Sequence, residues 1–119
     1  MSLSILIVDD EPLIRVVARD ILEGVGFRVS EAGSVVAALE VLSEATIDVV
    51  LTDIELGSGP SGLELARKIR SDWPNVDLVI MSGRLLPTAG ELLDAEFVTK
   101  PFSDERLLSV MRSCARRDK

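Results

Sequence analysis

Short runs of nearly continuous Val, Ile and Leu alternate along this chain with longer segments whose apolar residues recur at helical spacing, and few folds accommodate that alternation. A strand that is apolar at every position has no face to give to water. Both faces must be covered, and parallel strands joined by helical crossovers meet that need. Ile5 to Val8, Ile47 to Leu51 and Val76 to Met81 are runs of this kind. Phe27 to Ser30 and Glu96 to Thr99 are shorter and more polar, which suits the edges of a sheet. With 119 residues the chain has room for one core, so five βα units are expected to form a single α/β domain over residues 1–119.

The segments between the runs carry helix signals. Pro12 stands where a first turn tolerates a missing N–H, and Ile14, Val17, Ala18, Ile21, Leu22 and Val25 form an apolar stripe around the turn signals Gly24 and Gly26. Ser34 is placed to cap a second helix carrying Val35, Ala38, Leu39 and Leu42, and Ser61 a third carrying Leu63, Leu65, Ala66 and Ile69 before Pro74. Ser103, followed by Asp104 and Glu105, opens a last helix with Leu107, Leu108, Met111 and Cys114 inward. Between Leu85 and Gly90 the pattern fails. Pro87 disfavours a helical Leu86 and Gly90 interrupts the next turn, which leaves only Glu91 to Asp94 as helix.

Composition narrows the function classes. Thirteen Lys and Arg against twenty Asp and Glu give a net charge of −7, which argues against direct binding to nucleic acid and favours divalent cations. The chain has no His, so a Cys/His zinc site and a Ser-His-Asp triad are excluded. The single cysteine, Cys114, cannot form an internal disulfide, which fits a reducing compartment. No basic leader precedes Asp9, Asp10 and Glu11, and no apolar run approaches the roughly 18 residues of a membrane span. A cytoplasmic location without membrane contact is expected.

In an open parallel sheet, ligands bind beyond the carboxyl ends of the strands, where the strand order reverses. Asp9 and Asp10 close the first run, Asp53 the third, Ser82 the fourth and Lys100 the fifth. Each has a plainer reading. Asp9 and Asp10 can cap the helix opening at Pro12, Asp53 and Ser82 can begin turns, and Lys100 can be a solvated charge. One cap does not need two acids plus Glu11, however, and a merely solvated lysine would be out of place beside three acids.

Taken in order, the strand Ile5 to Asp10 with its acid pair, the lone Asp53, Ser82-Gly83 and Lys100-Pro101-Phe102 resemble the receiver domain of two-component response regulators. The resemblance covers essentially the whole chain. It implies a doubly wound, flavodoxin-like sheet of order 2-1-3-4-5 with helices on both faces, here with a short or disordered fourth helix. It implies that Asp53 is the phosphoacceptor and that Mg2+ is bound by Asp10, Asp53 and the backbone carbonyl of Glu55, with Asp9 acting through a water. Lys100 and Ser82 would then hold phosphoryl oxygens. These residue types suit the chemistry, because a carboxylate attacks a phosphoryl group only if the charge on its equatorial oxygens is neutralised. The resemblance also implies a cis Lys100–Pro101 peptide, a switch built on Ser82 and Phe97, and Glu55 with Arg84 as a candidate gating pair at the mouth of the site. Two departures stand out: the loop from Gly57 to Gly62 is longer than usual by a residue, and the segment between Ser82 and Lys100 is shorter.

The expected function is regulatory. A sensor histidine kinase or phosphotransfer protein donates a phosphoryl group to Asp53, and the altered domain, a monomer or weak dimer, changes its partner interactions. No enzymatic activity is expected beyond phosphorylation and dephosphorylation of itself in cis. Two other readings compete. A docking module of the same fold that is never phosphorylated would not need the intact acids, Ser82 and Lys100. A Mg2+-dependent phosphatase working through an aspartyl-phosphate would place its nucleophile on the first strand and add a cap over the substrate. No output segment follows Lys119 in this sequence, which fits a stand-alone regulator, a relay shuttle or a piece of a longer protein.

Overall fold

The computed structural model describes residues 3–57, 59–83 and 95–117. Five parallel strands, β1 (Ser4–Val8), β2 (Arg28–Ala32), β3 (Val49–Asp53), β4 (Asp77–Ser82) and β5 (Glu96–Thr99), form one sheet in the order β2-β1-β3-β4-β5. The described helices are α1 (Pro12–Glu23), α2 (Val35–Glu44), α3 (Gly62–Asp72) and α4 (Asp104–Arg117). The two polar runs do form the edges, and the order reverses between β1 and β3, which opens a crevice at their carboxyl ends.

Alternate side chains of a strand point to opposite faces, and here both faces are apolar. Ile5, Ile7, Leu51, Val79 and Met81 pack with Ala18 and Leu22 of α1 and with Leu107, Met111 and Cys114 of α4. Leu6, Val8, Val50, Leu78 and Ile80 pack with Ala38 and Leu42 of α2 and with Leu65, Ala66 and Ile69 of α3. Helices therefore cover both faces. The expected caps hold as well: Ser34 Oγ accepts from the Ala37 N–H at 3.1 Å and Ser103 Oγ from the Arg106 N–H at 3.0 Å. Ser61 and Glu64 form a reciprocal capping box at the start of α3.

The structure differs from the sequence pattern in three places. β3 begins two residues later than its apolar run, because its ladder with β1 starts at Ile5 opposite Val49 while Ile47 is buried ahead of it. β2 extends to Ala32 and so carries Glu31 in its ladder. Val17 and Val25, expected inside, are 44% and 50% exposed. At about 100° per residue the buried Ala18 and Leu22 mark the centre of the inward face, Ile14 and Ile21 flank it, and Val17 lies about 100–140° from the two buried residues, while Val25 lies past the last turn. Arg84 and the segment from Leu85 to Asp94, where a short or disordered fourth helix was expected, lie outside the described residues. No described helix is long and apolar enough to cross a membrane.

One glycine fixes how α3 meets the sheet. Gly62 is the first residue of α3, its N–H donates to the Ile54 carbonyl at 2.8 Å, and a Cβ added there would overlap the Asp53 carbonyl oxygen. Gly62→Ala should therefore cost about 1–3 kcal/mol as an overpacked site. The urea midpoint should fall with an unchanged slope; a wild-type midpoint would show that α3 can back away freely.

Candidate functional site

The strand ends bring the chemistry together. β1 hands the chain to Asp9 and Asp10, β3 ends at Asp53, β4 ends at Ser82, and β5 leads into Lys100. Asp9, just past the end of β1, is enclosed at 0% exposure, while Asp10, at the bend that follows, is exposed. Asp53 is buried at the end of its strand.

Lys100 joins these acids. Its Nζ lies 2.8 Å from Asp9 Oδ2, 2.9 Å from Asp53 Oδ2 and 3.8 Å from Glu11 Oε1. The other oxygens of Asp9 and Asp53 accept backbone hydrogen bonds, Asp9 Oδ1 from the Glu11 N–H at 2.9 Å and Asp53 Oδ1 from the Glu55 N–H at 3.4 Å. The Lys100 N–H donates to the Ser82 carbonyl at 2.9 Å, and the Lys100–Pro101 peptide is cis as the resemblance implied.

The proton affinities reflect this crowding. Burial pushes the Asp53 carboxyl above its ordinary value of 3.8; the hydrogen bond and charge of Lys100 offset only part of that, and the charge of Asp9 adds to it. Burial works against the Lys100 ammonium, but its hydrogen bonds to Asp9 and Asp53 outweigh it and hold the group above 10.5.

Asp9, Asp10 and Asp53 each present a carboxylate oxygen, and these oxygens lie within 4.8 Å of one another. An octahedral ion with oxygens at about 2.1 Å has opposite ligands about 4.2 Å apart, so the cluster needs only a small contraction to hold a hard cation. The all-oxygen donor set selects the same class of ion. In front of it lies a solvent-open cavity of about 550 Å³, with Asp10, Glu11, Asp53, Glu55 and Lys100 on its walls. Gly57 lines it too: its φ is +71° and a Cβ there would come 3.0 Å from Asp10 Oδ2, so glycine serves both the turn and the space beside the acid.

Comparison with known proteins gives this arrangement a family. The sequence profile of the response regulator receiver domain matches residues 5–112. The chain belongs to that family. It is 34% identical over 121 residues to an NtrX-like response regulator of Rickettsia bellii, a match covering 96% of this chain and 25% of that protein. It is 34% identical over 123 residues to the phosphate regulon transcriptional regulatory protein PhoB of Pseudomonas aeruginosa, covering 96% of this chain and 52% of the relative. The chain thus spans about a quarter to a half of the length of these relatives. Among solved structures, a response regulator receiver protein from Sinorhizobium medicae superposes with a TM-score of 0.87 at 31% identity, covering 99% of this chain and 98% of that one.

In this receiver domain Asp9, Asp10, Asp53 and Lys100 meet as the sequence indicated. Ser82 is buried at the end of β4, and Gly83 beside it lines the cavity. Glu55 lines the cavity with an exposed side chain. Phe97 is half-buried on β5, packed against the cluster under α2 and α3, with its carbonyl accepting from Arg106 Nη2 at 2.8 Å. The proposed Glu55–Arg84 pair lies outside the described residues because Arg84 does. Two participants were given no site role by the sequence reading. Glu11 lines the cavity near Lys100, and Arg15 Nη1 donates to the Asp9 carbonyl. Glu11 was legible as a third acid in a row; Arg15 gave no signal beyond its position one turn into α1.

For the metal-free protein this electrostatic balance sets two expectations. The fold favours Asp53 in its protonated form, so the stability tied to this group is complete below pH 3.8 and is lost as pH rises through the raised value. Asp53→Asn should melt higher than wild type at neutral pH, and the advantage should vanish below pH 3.8 in a melting series. Lys100→Ala strands the enclosed Asp9 and should cost about 3 kcal/mol. A loss under about 1 kcal/mol in urea denaturation would mean that the ammonium is dispensable to the fold.

Proposed function

We propose that the domain is a phosphoacceptor switch: Asp53 takes a phosphoryl group from a sensor histidine kinase or phosphotransfer protein, and the modified domain changes its partner interactions. The observation that carries this reading is the Asp53 carboxylate held 2.9 Å from the Lys100 ammonium, on the wall of an open cavity and beside two further acids. A phosphoryl group passes through a loose transition state in which positioning and charge neutralisation supply the catalysis. An Asp53 Oδ–P bond forms as the donor's bond to phosphorus breaks, and charge on the three equatorial oxygens must be met.

Mg2+ fits the oxygen donor set and, when bound, supplies most of that neutralisation. Asp10, Asp53 and the Glu55 backbone carbonyl would hold it, with Asp9 acting through a water. Lys100 offers a point charge to one phosphoryl oxygen and Ser82 a hydroxyl to another. Phe97 would answer the movement of Ser82, since a phenyl ring can change position without abandoning a hydrogen bond. In this reading the domain acts on no substrate but itself.

Incubation with acetyl phosphate and Mg2+ should add the mass of one phosphoryl group, as read by intact mass spectrometry. Asp53→Asn should add none, and Asp10→Asn should lose most of the labelling while keeping its far-ultraviolet dichroism. An unlabelled wild type would favour the unphosphorylated docking module, and full labelling of Asp10→Asn would remove that acid from the metal site.

A further inference from the structure

The peptide between Asp9 and Asp10 is gripped from outside the cavity. Arg15 Nη1 donates to the Asp9 carbonyl at 2.6 Å, and Arg15 Nε pairs with Glu31 Oε1 on β2 at 3.0 Å. The other oxygen of Glu31 meets Arg19 Nη1 at 2.8 Å, and Arg19 Nε pairs with Glu23 at 3.0 Å. Both arginines stand on α1 and Glu31 on the edge strand, so the network ties the helix to β2 across the chain segment that carries the acids. Gly33 leaves the guanidinium its space, since a Cβ there would stand 3.3 Å from Arg15 Nη1.

The grip bears on Asp10 above all. Its side chain is exposed, so its direction depends on the backbone that presents it. That backbone is fixed on one side by the Asp9 N–H donating to the Ala32 carbonyl at 3.1 Å, and on the other by Arg15 at the Asp9 carbonyl. A planar guanidinium can bind the carbonyl and the carboxylate together, each from its own N–H. A lysine ammonium has no such fork.

We infer that Arg15, oriented by Glu31, is a positioning residue that holds the Asp9–Asp10 peptide in the geometry the divalent cation needs. The inference rests on the metal-dependent phosphoacceptor reading. Charge and geometry make opposite predictions here, which is what allows a test. A guanidinium next to an acidic cluster repels a cation, so if Arg15 mattered only through its charge, removing it would tighten cation binding. If it positions the acids, removing it weakens binding, as loss of a residue that orients metal ligands commonly does by about 10- to 100-fold.

The experiment is a Mg2+ titration of wild type, Arg15→Gln, Arg15→Lys and Glu31→Gln, read from the backbone amide resonances of Asp10 and Glu11, with thermal melts alongside. Arg15→Gln should bind Mg2+ at least about tenfold more weakly. Arg15→Lys should fail to restore the affinity although it keeps the charge, and Glu31→Gln should lose part of it. Affinity equal to or tighter than wild type in Arg15→Gln overturns the inference. If that variant does not fold, Glu31→Gln decides in the same way, and unchanged affinity there overturns it. A wild-type protein that shows no Mg2+ response defeats the phosphoacceptor reading itself, and the inference with it.

Discussion

Asp9 is wholly enclosed, Asp53 is nearly so, and their carboxylates share one cation, the Lys100 ammonium. An enclosed acid needs opposite charge or hydrogen-bond donors to offset its lost hydration, and Lys100 supplies them from the far edge of the sheet, 91 positions along the chain from Asp9. The carboxyl ends of β1, β3 and β5 must therefore all be in register before the acids are satisfied. That offset is incomplete: Asp53 stays above its ordinary proton affinity because Lys100 counters only part of the burial and the charge of Asp9 adds to it.

Around that centre stand supports at one remove from the acids. Gly62 lets α3 close against the Asp53 carbonyl, and Gly57 makes room beside Asp10. Arg15 and Glu31 tie the Asp9 carbonyl to α1 and β2. The core beneath is apolar on both faces of the sheet, so the strands have little freedom to slide, and the rigid sheet carries its precision out to the loops.

Much of this is legible in the sequence because strand and helix periods are local properties. The unbroken run Ile5 to Val8 and the capping residues Ser34, Ser61 and Ser103 each carry their signal within a few residues. The acids and the lysine can be assigned to one edge for a related reason, since parallel strands all deliver their last residues to the same side. Boundaries are less secure. An apolar run does not reveal which residue starts the ladder, so the pattern opens β3 two residues early, and the stripe of α1 takes in Val17 because spacing alone does not locate the centre of a helix face.

By itself the sequence determined the fold class, the sheet edges, the caps and the identity of the residues at the strand ends, because each depends on a short window of side-chain pattern. Tertiary structure alone decided that Asp9 is enclosed and Asp10 exposed, although they are neighbours of identical chemistry, and that Lys100 bridges Asp9 and Asp53 rather than standing in solvent. It also decided that Arg15 reaches the Asp9 carbonyl with Glu31 behind it. These are distances between segments remote in the chain, and they are set by how α1 and the strands pack, a many-body outcome that no local pattern encodes.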